Sequence, residues 1–179
     1  MTNFDLTAGY YKSNWPVECG GNRRQKIFDG SLNVKNKTHN LTTKINNRWN
    51  VMFIQRDVNE LYLTGTMPNF IGDKPFGWVQ KLNPDNLEVM YESPNLECGD
   101  HIWCGAIAAH VNGTIINVNG SFMHILDNKC NVLKEIKLPI NQAHNGLLIL
   151  SDGSIVTKDI RLSNDFTSTL TRLSPVSYT

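Results

Sequence analysis

Two segments with nearly the same pattern constrain the fold of this chain most strongly. Residues 105–118 contain an apolar strand, a turn at Asn112-Gly113 and a second strand, and residues 146–159 repeat this pattern around Asp152-Gly153. Asn-Gly and Asp-Gly suit two-residue hairpins because both turn positions tolerate positive φ. The two turns lie 40 residues apart. Self-similarity at such a period predicts a repeat architecture of hairpin-based units.

Further strands follow each hairpin in the same order. Alternating third strands that end in turn residues are predicted within residues 78–85, 122–128 and 170–175. Fourth strands, within residues 87–94 and 132–139, mix charged with apolar residues and each stops at a proline. Charge and proline suit an outer strand with an exposed edge. Two apolar inner strands, an alternating strand and a charged outer strand are typical of a propeller blade.

We therefore predict an all-β fold of propeller-type four-stranded blades, at about residues 49–96, 104–139 and 145–179. Residues 1–48 lack a clear blade pattern, although residues 41–45 predict the outer strand of a preceding blade. Closed propellers usually have four to eight blades, so about three to four indicate an incomplete propeller. The chain would then be a fragment of a longer protein or one member of an assembly. A β-sandwich is the alternative, since regularly spaced short strands also fit it.

Composition narrows the classes of partner. The net charge is +1, from 17 basic and 16 acidic residues, so we expect no nucleic-acid partner. No apolar run approaches the ~20 residues that span a bilayer, and the N-terminus lacks the features of a signal peptide. We therefore expect no membrane association and a cytoplasmic location. None of the four cysteines forms a Cys-x-x-Cys pair, so we expect reduced, mostly buried thiols.

Residues 145–159 begin with Asn-Gly-Leu and continue into a Ser-Asp-Gly hairpin. This segment resembles a blade of the senescence-marker, gluconolactonase and strictosidine-synthase-like propellers, and the blade period extends the likeness loosely over residues 50–179. The resemblance implies a divalent cation, often calcium, at the mouth of the channel, with Asn145 as one ligand. Such a metal would activate water against a lactone. The corresponding residue of the preceding blade is Cys104, and a thiol is a poor calcium ligand. The early glutamate of the family cannot be placed, because Glu18 lies beside Cys19-Gly20-Gly21 and no blade pattern surrounds it.

Four residues lie just before inner strands and are expected to gather at the channel mouth, where propellers commonly bind ligands. They are His101, Trp103, Cys104 and His144. Cys104 with either histidine would resemble a nucleophile pair, but no orienting Asp or Asn accompanies it, and burial as a small residue is the alternative.

Three other residues have side chains that could act in catalysis or metal binding, but their positions favour structural roles. His110 and His124 fall within predicted strands, which favours structural roles. Asp127 lies in a turn, where a carboxylate accepts backbone hydrogen bonds.

Two hypotheses for function follow, and the sequence leaves open whether the chain is an enzyme. The first is a divergent relative of metal-dependent lactonase propellers. The second is a non-catalytic binding or scaffolding module, or a remnant of a longer propeller protein. The partner would be a small molecule or a protein. Self-association is also expected, because an open array of blades exposes inner-strand edges and apolar faces.

Overall fold

The computed structural model describes residues 8–20, 41–68, 74–102, 105–160 and 167–175. These residues form three antiparallel sheets of four, four and three strands, which confirms the all-β prediction. The strands are β1 (Trp49–Asp57), β2 (Glu60–Met67), β3 (Phe76–Leu82), β4 (Val89–Glu92), β5 (Ala106–Ala109), β6 (Ile115–Asn119), β7 (Phe122–Leu126), β8 (Val132–Lys137), β9 (His144–Ile149), β10 (Ile155–Asp159) and β11 (Leu170–Leu173). A 3₁₀ turn covers Glu18–Gly20. Within the described ranges, no helix has the length and apolar character needed to cross a bilayer.

Each sheet is a meander in which neighbouring strands follow one another along the chain. The orders are β1-β2-β3-β4, β5-β6-β7-β8 and β9-β10-β11. Gly113 and Gly153 have φ values of 91° and 82°, so the two repeated hairpins turn through the glycines that marked them in the sequence. The described part of the third sheet has three strands, one fewer than each of the others.

The sheets stack through their innermost strands, since β1 contacts β5 and β5 contacts β9. Ile107 and Ile115 pack with Ile54 between the first and second sheets. Ile116 and Val118 pack with residues of the third sheet on the other side. Successive side chains of a strand point to opposite faces, so a middle sheet covered on both sides buries every position of its inner strands. Every residue of β5 and β6 is buried, including Asn117 and Asn119.

A buried polar ladder also joins the first sheet to the second. Asn117 Nδ2 donates to Thr64 Oγ1 at 2.8 Å, and Thr66 Oγ1 donates to Asn119 Oδ1 at 3.0 Å. Asn119 Nδ2 donates to the backbone carbonyl of Gly65 at 3.0 Å. A Cβ atom at Gly77 would lie 2.4 Å from Asn119 Nδ2, so only glycine leaves room there. Since buried polar groups need partners, this ladder favours one register between the two sheets.

The N-terminal segment, residues 8–20, runs along the innermost strands. One N–H group of each innermost strand donates to this segment, through the pairs Gln55 to Trp15, Ala109 to Pro16 and Ile149 to Tyr10. The Tyr10 side chain is 2% exposed. The sequence predicts that the edges of the inner strands are exposed. At these three positions that prediction is wrong, because the N-terminal segment covers the edges.

Residues 41–46 contain no strand, so the predicted outer strand at 41–45 does not form within the single chain. This segment lies over the outer face of the first sheet, the face turned away from the second sheet. Asn46 Nδ2 donates to Gln80 Oε1 at 3.2 Å, and Arg48 forms an ion pair with Glu92. Within the described residues, this segment pairs with no strand.

Candidate functional site

His144, expected just before an inner strand, is the first residue of β9. Its backbone N–H donates to the Gly120 carbonyl at 2.9 Å. Nδ1 lies 3.1 Å from the Gly120 carbonyl oxygen and 2.9 Å from that of Gln142. Carbonyl oxygens only accept, so Nδ1 is the donor in these contacts. Nε2 is buried and has no hydrogen-bond partner among the described residues.

The backbone of His101 approaches Gly120, the residue that also contacts His144, from another loop. A Cβ atom at Gly120 would lie 2.9 Å from the His101 carbonyl oxygen and 1.8 Å from that of Cys98. Gly120, with φ of 56°, allows both loops to approach. The His101 backbone and the His144 backbone thus both lie near Gly120, and the gathering of their side chains at a channel mouth stays a prediction. Trp103 and Cys104 lie outside the described residues, so the nucleophile pair stays a prediction.

Ser121 is a polar residue of this region that sequence reasoning missed. Its Oγ is buried without a hydrogen-bond partner, like Nε2 of His144. Both side chains have zero exposure, so no substrate reaches them from solvent in this conformation. No sequence pattern singled out Ser121. Because Ser121 and His144 are both buried, neither side chain forms part of an open catalytic site.

Asn145, the predicted calcium ligand, is already engaged. Its Oδ1 accepts a hydrogen bond from Lys158 Nζ at 2.8 Å. In the part of the chain that the structure describes, no three His, Cys, Asp or Glu side chains come close enough to hold a metal ion. Calcium takes six to eight oxygen ligands and is repelled by a neighbouring ammonium group. The described residues around Asn145 therefore do not fit a calcium site.

The outer face of the third sheet, turned away from the second sheet, carries an apolar cleft. Leu148 pairs with Val156 across β9 and β10, and both point opposite to the buried Ile149 and Ile155. The cleft has a volume of about 340 Å³. It is closed on one side by the N-terminal segment and is lined by residues that include Tyr10, Val17, Leu148, Val156, Lys158 and Leu170.

A second cleft of about 420 Å³ lies on the outer face of the first sheet. Leu63, Leu82 and Val89 form its floor, and residues 44–48 cross over it. The Arg48 guanidinium stacks 5.5 Å from the Trp78 ring centroid, a cation–π contact that holds the crossing segment in place. Both end sheets of the stack therefore have a cleft on the face that no other sheet covers.

His110 and His124 have the structural surroundings that their strand positions indicated. His110 accepts from the Asn112 N–H at its Nδ1 at 3.1 Å, and its Nε2 lies 3.2 Å from the Gly153 carbonyl oxygen. His124 is fully buried beside Glu135, and burial lowers its pKa.

Asp127 accepts backbone hydrogen bonds within its own turn, as its position indicated. Burial raises the pKa of Asp127, but hydrogen bonds from Asn131 and the Lys129 N–H outweigh this and leave the pKa below its ordinary value.

The buried cysteines are poor nucleophiles. Burial raises the pKa of the Cys98 thiol to about 11 and that of Cys130 to about 12. The thiolate is the reactive form, so both residues are inert near neutral pH. They pack as small apolar side chains, as the sequence predicted for most of the thiols.

Comparisons of the chain with protein-family models, with curated proteins and with solved structures gave no match. The resemblance of residues 145–159 to lactonase-type propellers therefore stays a prediction.

Proposed function

We propose that this chain is a non-catalytic binding and assembly module built from propeller-type blades. Its binding surfaces are the outer faces of the first and third sheets. The observation that carries the proposal is the open cleft on the third sheet, whose lining is mostly apolar and includes Glu18 and Lys158 as its charged residues.

The exposure of the two end faces contrasts with the burial of the middle sheet. On the first sheet, Phe53 and Val89 are 54% and 45% exposed. On the third sheet, Leu148 and Leu170 are 38% and 73% exposed. Contiguous exposed apolar surface of this kind marks an interaction site.

The stacking order supports blades as the structural unit. Three meanders follow one another through their innermost strands, and in a propeller every sheet has a neighbour on both faces. Here only the second sheet has two neighbours among the described residues. A module of this form gains stability when another molecule covers its end faces, since burial of apolar surface contributes about 25 cal/mol per Å².

The lactonase hypothesis is the second candidate and rests on the Asn-Gly-Leu segment that opens at Asn145. The ammonium group of Lys158 on the same amide oxygen favours the binding module instead. A calcium titration distinguishes the lactonase hypothesis from the binding module.

Light scattering over a range of protein concentrations, with calcium and with a chelator, tests the proposal. We expect an oligomer that is indifferent to the chelator. Leu148→Lys should dissociate it, because a charge then enters the end face. Leu133→Lys is the matched control, since Leu133 is 59% exposed on β8 of the middle sheet, away from both end faces. A monomer at every concentration, or equal effects of the two variants, would overturn the proposal.

A further inference from the structure

We infer that two copies of this chain close one ring of sheets by exchanging residues 41–46, which form the fourth strand of the partner copy's third sheet. This inference rests on the proposed assembly function and names the partner as a second copy. Beyond that function, it specifies that two copies assemble and that residues 41–46 are the segment they exchange.

Among the described residues, the third sheet has three strands and each of the other two sheets has four. In the first and second sheets an outer strand, β4 or β8, follows the third strand of the meander. In the third sheet β11 pairs with β10 on one side, and no described residue pairs with its other edge. Leu170 on this edge strand is 73% exposed. An open edge with exposed apolar side chains is a template for another strand.

Residues 41–45 have a sequence typical of a β-strand but belong to no sheet of the described structure. The segment reads Leu-Thr-Thr-Lys-Ile, rich in β-branched residues and with apolar side chains at both ends. Leu41 and Ile45 are 91% and 90% exposed, more than any other large apolar residue that the structure describes. Such exposure of two large apolar side chains in one short segment indicates that the segment has a partner in another molecule.

The position of the segment fits the exchange. Asn46 and Arg48 anchor it to Gln80 and Glu92 on the outer face of the first sheet. In a ring, the sheet that packs on this face would be the partner's third sheet. The segment therefore already lies where that sheet would need a further strand.

Symmetry favours a second copy over an unrelated protein. Within the described residues, the chain contains both a segment that joins no sheet and a sheet of three strands, so one two-fold arrangement satisfies each of them twice. Two copies of three sheets give six, within the range of four to eight in which propellers close.

Sedimentation and light scattering of the full chain test the inference. We expect the wild type to have the mass of two copies. The double variant Leu41→Asp/Ile45→Asp should have the mass of one, because charges in the exchanged strand oppose its burial. Val58→Asp is the control, since Val58 is 76% exposed in the turn between β1 and β2, and it should stay dimeric. Circular dichroism shows whether each variant is folded.

Different failures have different meanings. If the Leu41→Asp/Ile45→Asp variant still associates while the Leu148→Lys variant is monomeric, the strand exchange is wrong, but assembly through the end faces is supported. A wild-type mass other than two copies also overturns the exchange. If the wild type is monomeric throughout, both the exchange and the proposed function fall.

Cross-linking gives a second, independent test. A chain with Thr43→Cys is mixed with a chain carrying Arg172→Cys on β11, and a bismaleimide linker is added. The exchange predicts a linked heterodimer that neither chain yields alone. Leu133→Cys in place of Arg172→Cys is the control and should link much less. Equal linkage to positions 133 and 172 would overturn the inference.

Discussion

Lys158 Nζ lies 2.8 Å from Asn145 Oδ1, so the residue that resembled a calcium ligand holds an ammonium group instead. The two residues pair directly across β9 and β10. Because both strands hold this pair in register, the contact follows from the sheet itself and not from a chance surface rotamer.

We predict that calcium does not raise the melting temperature of the wild type. Lys158→Met removes the ammonium group but leaves one amide oxygen, too few for a cation that takes six to eight ligands. This variant should therefore be equally insensitive to calcium. Differential scanning fluorimetry with calcium and with chelator measures both. A calcium-dependent rise in the wild type that Asn145→Ala abolishes would contradict the prediction and revive the lactonase hypothesis.

Asn119→Ala should destabilise the fold by about 1–3 kcal/mol, because it leaves Thr66 Oγ1 and the Gly65 carbonyl without their partner in the buried ladder. Urea unfolding followed by fluorescence measures the loss. Asn128→Ala, in an exposed turn, is the control and should change stability by less than about 0.5 kcal/mol. Equal stability of the two variants would show that the ladder contributes nothing.

Tyr10→Phe should also reduce the free energy of unfolding by about 1–3 kcal/mol, because the Ile149 N–H loses its acceptor in a buried position. Tyr91→Phe removes a hydroxyl from a side chain that is 39% exposed and should have little effect. Chemical denaturation of the two variants side by side measures the difference. If they match, the N-terminal segment is not docked on the innermost strands.

Cys98 and Cys130 should resist iodoacetamide at pH 8 in the folded protein and react in urea. The pKa values of their thiols are about 11 and about 12 in the fold, so almost no thiolate is present. Peptide mass spectrometry identifies the labelled positions. The same shifts predict lower stability above pH 9, where the unfolded thiols lose protons that the folded ones keep. Rapid labelling of either residue at pH 8 would contradict its burial.

The strands were predictable because their signals are local. Asn112-Gly113 and Asp152-Gly153 specify tight hairpins by backbone conformation alone, and the runs that flank them are apolar on every residue or on alternate residues. The gathering of His101 and His144 at a channel mouth stays a prediction. The Lys158 contact was not predictable from the Asn-Gly-Leu segment, because a cross-strand partner depends on register and β9 pairs with β10 through an irregularity.

The sequence by itself determined the all-β class, the strand positions and the meander within each sheet, because hairpin turns and alternation act between residues close in the chain. Only the tertiary structure decided what covers each sheet. The N-terminal segment has no periodic pattern, yet Tyr10 reaches the Ile149 N–H on the far innermost strand. Residues 41–45 have a strand pattern but no described edge to pair with. Pairing of either segment depends on which edges and faces the packed sheets leave open, and that is settled only when the whole chain is folded.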